Sequence, residues 1–141
     1  MVQIKRVTED RSASAVFDRI REELYDFNKK NIPNAEYEAL NFIVTAEAGE
    51  LIAGLLSHRF GEAVSLEILW VHETYRYQGI GNKLLQEMER AAKASGAKRI
   101  HLDTHDFQAP DFYLKNGYVT FGVLEHVPVH GVTRYYMRKE L

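Results

Sequence analysis

The stretch Val71-His72-Glu73-Thr74-Tyr75-Arg76-Tyr77-Gln78-Gly79-Ile80-Gly81-Asn82-Lys83 separates two patterns of hydrophobicity. Before it, residues 63–71 read as a strand. After it, Leu84, Leu85, Met88, Ala91, Ala92 and Ser95 recur at helical spacing until Gly96, a favourable C-terminal cap. Glycines at alternate positions in such a turn let the backbone bend tightly and approach a ligand closely. The helix that follows presents N–H groups without intrahelical partners, and its dipole favours an anion. Arg76 and Lys83 flank the turn with positive charge. A pyrophosphate suits this arrangement, and an ordinary strand-to-helix turn that uses glycines only for geometry is the other reading. Two other nucleotide-binding patterns are absent. A dinucleotide fingerprint needs a third glycine at position 84, where Leu84 stands, and no G-x-x-x-x-G-K-[ST] loop occurs.

Upstream of the turn, strand-like runs at 42–48, 51–60 and 63–71 are separated by Gly49-Glu50 and Gly61-Glu62, which predicts an antiparallel meander. Nearer the start, Val2, Ile4 and Val7 suggest a short strand. Ser12 or Ser14 then caps a helix with the apolar face Val16, Phe17, Ile20, Leu24 and Phe27. Pro33 breaks it within 31–34, and 35–40 reads as a short second helix. Downstream of Gly96 the pattern predicts a strand at 100–104, a short helix at 110–116 ended by Gly117, and strands at 118–125 and 133–139. The order predicts an α/β fold with a mixed, mostly antiparallel central sheet flanked by helices.

With 141 residues, 45% of them apolar, and only 3 Pro, the chain is expected to form one domain, 1–141, with one core. Eighteen Lys and Arg against 20 Asp and Glu argue against whole-domain binding to nucleic acid or anionic lipid, so an anion site must be local. The absence of cysteine excludes disulfides, a thiolate nucleophile and Cys-ligated zinc. Residues 1–11 carry Lys5, Arg6, Glu9, Asp10 and Arg11 among single apolar residues and lack a signal-peptide pattern, and no apolar run is long enough to span a bilayer. The expectation is a cytoplasmic protein.

Residues 71–83 resemble motif A of the GNAT N-acetyltransferase superfamily, and Ala109-Pro110-Asp111-Phe112-Tyr113-Leu114-Lys115-Asn116-Gly117-Tyr118 is similar to its motif B. The predicted element order agrees with a GNAT-like fold along essentially the whole chain. The resemblance implies an enzyme that moves acetyl from acetyl-CoA, as co-substrate, to a primary amine of a small molecule, amino acid or peptide. Homodimers also occur in the family. Carried onto this sequence, it implies that backbone groups of Leu69, Trp70 and Val71 face the thioester and pantetheine arm. It also implies that backbone amides of Tyr77, Gln78, Gly79, Ile80, Gly81, Asn82 and Lys83 hold the pyrophosphate, to whose oxygens Arg76 adds positive charge. Many members have an asparagine three residues before the Ala of motif B, whereas this chain has Asp106 there, which leaves Gln108 or no residue to make that pantetheine contact. A non-catalytic acyl-CoA sensor is the alternative function.

Acyl transfer to an amine needs a neutral amine, a stabilised oxyanion and a thiolate that leaves. With no cysteine and no G-x-S-x-G elbow, direct attack is the simpler route. The resemblance makes Tyr113 the group that protonates or hydrogen-bonds the leaving sulfur, and its alternative is a packed aromatic beside Phe112. Period-two alternation puts Glu67 on one strand face with Leu69 and Val71, which makes it the candidate base. His101 on the next strand is the rival, and water is a third proton acceptor. His101 with His105 and His126 with His130 invite a metal reading. Residues four apart on a strand lie about 13 Å apart, too far to share an ion; a loop could bring one pair together, but with no cysteine and no third ligand in pattern no metal is expected. His126 and His130 either line an acceptor pocket or are ordinary loop residues, and Trp70 with Tyr135 and Tyr136 read as strand and core aromatics.

Overall fold

The computed structural model describes residues 1–33 and 35–141. The chain divides into two compact units, Met1–Ala35 and Glu36–Leu141.

The first unit holds one helix, α1 (Ser14–Lys29). Its apolar positions have the expected spacing, but no residue of the helix is buried. A single helix between short irregular segments has nothing within its own unit to pack against. The strand expected from Val2, Ile4 and Val7 does not form, because residues 1–9 have no ladder partner and carry no regular structure. Neither Ser12 nor Ser14 caps α1. Ala13 takes the N-cap position, and the Asp10 carboxylate accepts the N–H groups of Ser12 at 2.9 Å and Ala13 at 3.0 Å. The Ser12 hydroxyl and the Ala13 N–H hold the Asp10 carboxyl below its ordinary range. The expected break after α1 extends to Asn34, which lies outside the described residues.

The second unit is a seven-stranded, mostly antiparallel sheet with helices. Its strands are β1 (Tyr37–Ala39), β2 (Phe42–Thr45), β3 (Leu51–Phe60), β4 (Ala63–Val71), β5 (Arg99–His105), β6 (Val119–Glu125) and β7 (Thr133–Glu140). The order is β1-β3-β4-β5-β7-β6, with β2 also on β3, and only β4 and β5 run parallel. Helix α2 (Ile80–Ala94) joins these two, and α3 (Pro110–Lys115) joins β5 to β6. Leu84, Leu85, Met88 and Ala92 of α2 are buried in one core with Leu55, Val64, Ile100 and Met137 of the sheet. Each of these side chains other than Ala92 contributes about 1.5–3 kcal/mol by leaving water. Among the described residues, no helix is long and apolar enough to cross a membrane.

Two departures from the expected pattern shape this unit. Residues 35–40 do not form a second helix: Tyr37–Ala39 pairs with His58–Phe60 instead. β2 covers only Leu51–Leu55 of the long β3, so β1 satisfies the remaining edge. Arg59 Nε also donates to Glu38 at 3.2 Å and fixes β1 there. The second departure is a bulge. Leu56 pairs with Ile68 and Ser57 with Leu66, which leaves Glu67 without a partner. A bulge bends its strand, and here β4 ceases to pair with β5 just before it: the parallel ladder covers only Ala63–Ser65 against Arg99–His101. Beyond it the two strands splay apart.

Candidate active site

The splayed ends of β4 and β5 open a cleft of about 990 Å³ within the second unit. Glu67 to Val71 form one wall, Asp103 and Thr104 the other, and the start of α2 and the α3 segment close the rest.

The floor for an anion is built by backbone. Gly79 is the N-cap of α2 with φ +83°, a left-handed conformation that favours glycine, and no side chain caps the helix. A Cβ at Gly79 would meet nothing within 4 Å, so the glycine there serves conformation alone. Gly81 faces α3: a Cβ there would stand 3.5 Å from the Phe112 ring, an ordinary contact, so the position has room for a methyl group and little more. Asn116 Nδ2 donates to Asn82 Oδ1 at 2.9 Å and to the Phe112 carbonyl at 2.8 Å, tying the end of α3 to the start of α2. Arg76 Nε donates to the Val71 carbonyl at 2.9 Å and braces the turn. Tyr77 (φ 61°) and Ala109 (φ 131°) also line the cleft, in conformations that cost a non-glycine residue roughly 1–3 kcal/mol. The uncapped N–H groups, the glycine turn and the volume beside them fit a coenzyme A pyrophosphate.

Of the residues assigned to coenzyme A from the sequence, Leu69, Trp70, Val71, Arg76, Tyr77, Gly79, Ile80, Gly81 and Asn82 line the cleft; Gln78 and Lys83 do not. Trp70 is not a core aromatic, being 40% exposed on the cleft wall, whereas Tyr135 packs against the core. Tyr113 lines the cleft with its ring edge-on to Phe112 and Tyr118, at 5.1 and 5.7 Å between centroids. Burial pushes its phenol up to about 12. Glu67 also lines the cleft, but not on the face of Leu69 and Val71. Those two pack against the core, and the bulge resets the alternation at Glu67, whose Oε1 meets His58 Nδ1 at 2.7 Å. His101 does not line the cleft, since it lies in the last paired step of β4 and β5, opposite Ser65.

The Asp106 carboxylate accepts the Thr133 N–H at 3.2 Å and is not among the lining residues, whereas Gln108 is. Gln108 Oε1 accepts the His105 N–H at 2.8 Å, which fixes the side chain at the cleft edge. His126 and His130 stack on each other at 4.4 Å, away from the cleft lining. Among the described residues, no three His, Asp or Glu side chains are grouped to hold a metal ion. Sequence reading missed Asp103, Thr104 and Phe107, because only the splay of β4 from β5 gives these positions access to the cleft. It also missed His58, which in the sequence is one of three successive polar residues, Ser57 to Arg59, in an otherwise apolar strand.

Residues 38–120 match the acetyltransferase (GNAT) domain family. The chain belongs to the GNAT family. It is 35% identical over 96 residues to blasticidin-S acetyltransferase of Streptomyces morookaense, covering 67% of this chain and 70% of that one. The crystal structure of an acetyltransferase from Bacillus cereus superposes with a TM-score of 0.85 at 29% identity, covering 98% of both chains. At 20% identity, an aminoglycoside 6'-N-acetyltransferase complexed with coenzyme A shares the fold, with a TM-score of 0.65 over 79% of this chain and 76% of that one. This GNAT protein is therefore an N-acetyltransferase, and motifs A and B of the sequence fall on the turn before α2 and on α3.

Proposed function

We propose that this GNAT enzyme transfers acetyl from acetyl-CoA to a primary amine of a small molecule by direct attack. The observation that carries the proposal is the cleft between β4 and β5, which gathers Glu67, Tyr113 and the uncapped start of α2 around one space. In this reading the N–H groups at the turn bind the pyrophosphate, and the backbone of Leu69 to Val71 orients the pantetheine and thioester. The amine nitrogen forms the new bond to the acetyl carbon as the carbon–sulfur bond breaks. Glu67 takes the amine proton, and the Tyr113 hydroxyl donates to the departing thiolate.

A small polar acceptor is favoured over a peptide by the name of the relative at 35% identity, blasticidin-S acetyltransferase. Glu67 and Asp103 in the cleft add negative charge suited to a cationic amine. Both units, residues 1–141, belong in this reading to one acetyltransferase domain that works in the cytoplasm, as a monomer or homodimer. A coenzyme A sensor without turnover is the second reading, and the convergence of Glu67 and Tyr113 on one cleft favours the enzyme.

The test is release of free thiol from acetyl-CoA in the presence of blasticidin S, aminoglycosides, polyamines, amino acids or peptides. Release that saturates with at least one small-molecule amine is expected. Tight coenzyme A binding with no release for any amine would favour the sensor instead.

A further inference from the structure

We propose that His58 is a positioning residue for Glu67, holding the carboxylate in the orientation that receives the amine proton. This rests on the reading of Glu67 as the base. His58 Nδ1 stands 2.7 Å from Glu67 Oε1, a close polar contact. The carboxylate brings no hydrogen to it, so the one between the two atoms belongs to Nδ1. One carboxylate oxygen is thereby fixed and the other is left for the acceptor. Glu67 lines the cleft and His58 does not, so the imidazole acts through the carboxylate rather than on the amine.

Three features of the fold produce the pair. The bulge releases Glu67 from the β4 alternation, and His58 lies on β3 opposite Ser65, two residues from Glu67. The imidazole is itself held by Tyr37, whose ring stacks on it at 5.2 Å with 23° between planes. Tyr37 reaches it because β1 is a strand whose Ala39 pairs with His58, which places Tyr37 on the diagonal. The Glu67 side chain is 53% exposed and that of His58 28%. A glutamate so open to water samples several rotamers unless a partner holds it, and placing a reacting group in advance is a large part of catalytic rate.

The experiment compares steady-state kinetics of His58→Phe, His58→Asn, His58→Gln and Glu67→Gln, and of Glu67→Gln combined with His58→Phe, using the amine found by the acceptor screen. The phenyl ring keeps the stacking surface for Tyr37 but has no donor. His58→Phe should lower kcat about 10-fold to 100-fold, the scale of a small misplacement, with KM for acetyl-CoA unchanged. His58→Asn, whose amide reproduces the Nδ1 donor, should recover most of the rate, and His58→Gln, whose amide lies farther out, should recover less. In the Glu67→Gln background His58→Phe should cost nothing further. Wild-type kcat in His58→Phe, or losses that multiply in the double variant, would overturn the positioning role, as would equal rates for His58→Asn and His58→Gln. If His58→Phe does not fold, the order of the Asn and Gln variants decides. Wild-type kcat in Glu67→Gln would overturn the base reading and this proposal together, whereas a slow Glu67→Gln with a harmless His58→Phe overturns this proposal alone.

Discussion

Tyr113 and Glu67 face the same cleft, but their surroundings prepare them for different work. Burial raises the Tyr113 phenol to about 12, so the hydroxyl keeps its proton throughout the range in which an amine is assayed. A phenol shifted upward is a poorer acid and still a good hydrogen-bond donor, which suits a thiolate that needs stabilisation more than full protonation. Tyr113→Phe should therefore lower kcat about 100-fold, the low end for acid catalysis, by the same factor from roughly pH 6 to 9, and leave coenzyme A affinity unchanged. A loss that vanished within that range would mean the phenol titrates there. Glu67 is half exposed, and its value as a base depends on how much of the amine is still protonated. Glu67→Gln should lower kcat/KM most at low pH and less as pH rises and the free amine accumulates, which a pH–rate profile with one acceptor would measure. A profile parallel to wild type would assign Glu67 a structural part and leave water as the acceptor of the proton.

At the scale of the elements, the turn into α2 uses its two glycines for different reasons, and variants separate them. Gly79 holds φ +83° with open space around it. Gly79→Val should bend the turn out of shape without any clash in the core, weakening coenzyme A binding at least about 10-fold in calorimetry while the protein stays folded. A Cβ at Gly81 would stand 3.5 Å from Phe112, so Gly81→Ala should be tolerated at an ordinary van der Waals distance. The branched side chain of Gly81→Val would push α3 away and carry Tyr113 with it. That variant should lose kcat as well as affinity, whereas Gly79→Val should lose mainly affinity. The same logic applies to Asn116, whose amide joins α3 to Asn82 and whose removal should loosen both α3 and the start of α2.

For the whole molecule, the cleft exists because one core holds α2 across β3, β4, β5 and β7 while β4 and β5 part company beyond Ser65. Leu85 is fully buried in that core and does not line the cleft. Leu85→Ala should cost about 2–5 kcal/mol of unfolding free energy in urea titration, with coenzyme A affinity of the folded fraction little changed. If the loss were below 1 kcal/mol, the core around α2 would be looser than its burial indicates.

The sequence by itself determined the order from β2 to β7, the turn before α2 and its glycines, and the GNAT resemblance carried by residues 71–83 and 109–118. These are local properties: period, cap residues and short motifs are written in neighbouring positions. It assigned 35–40 to a helix and 2–7 to a strand, because short segments take the structure their partners impose, and partners are not written locally. Tertiary structure alone decided that Tyr37–Ala39 completes the edge of β3 and that Glu67 stands at a bulge, out of step with Leu69 and Val71. It alone decided that Glu67 meets His58, that Asp103 reaches the cleft and that His101 does not. The physical reason is common to all of these. A one-residue slip in strand pairing turns every later side chain to the other face, and that slip depends on how two distant strands fit, not on either strand's own residues.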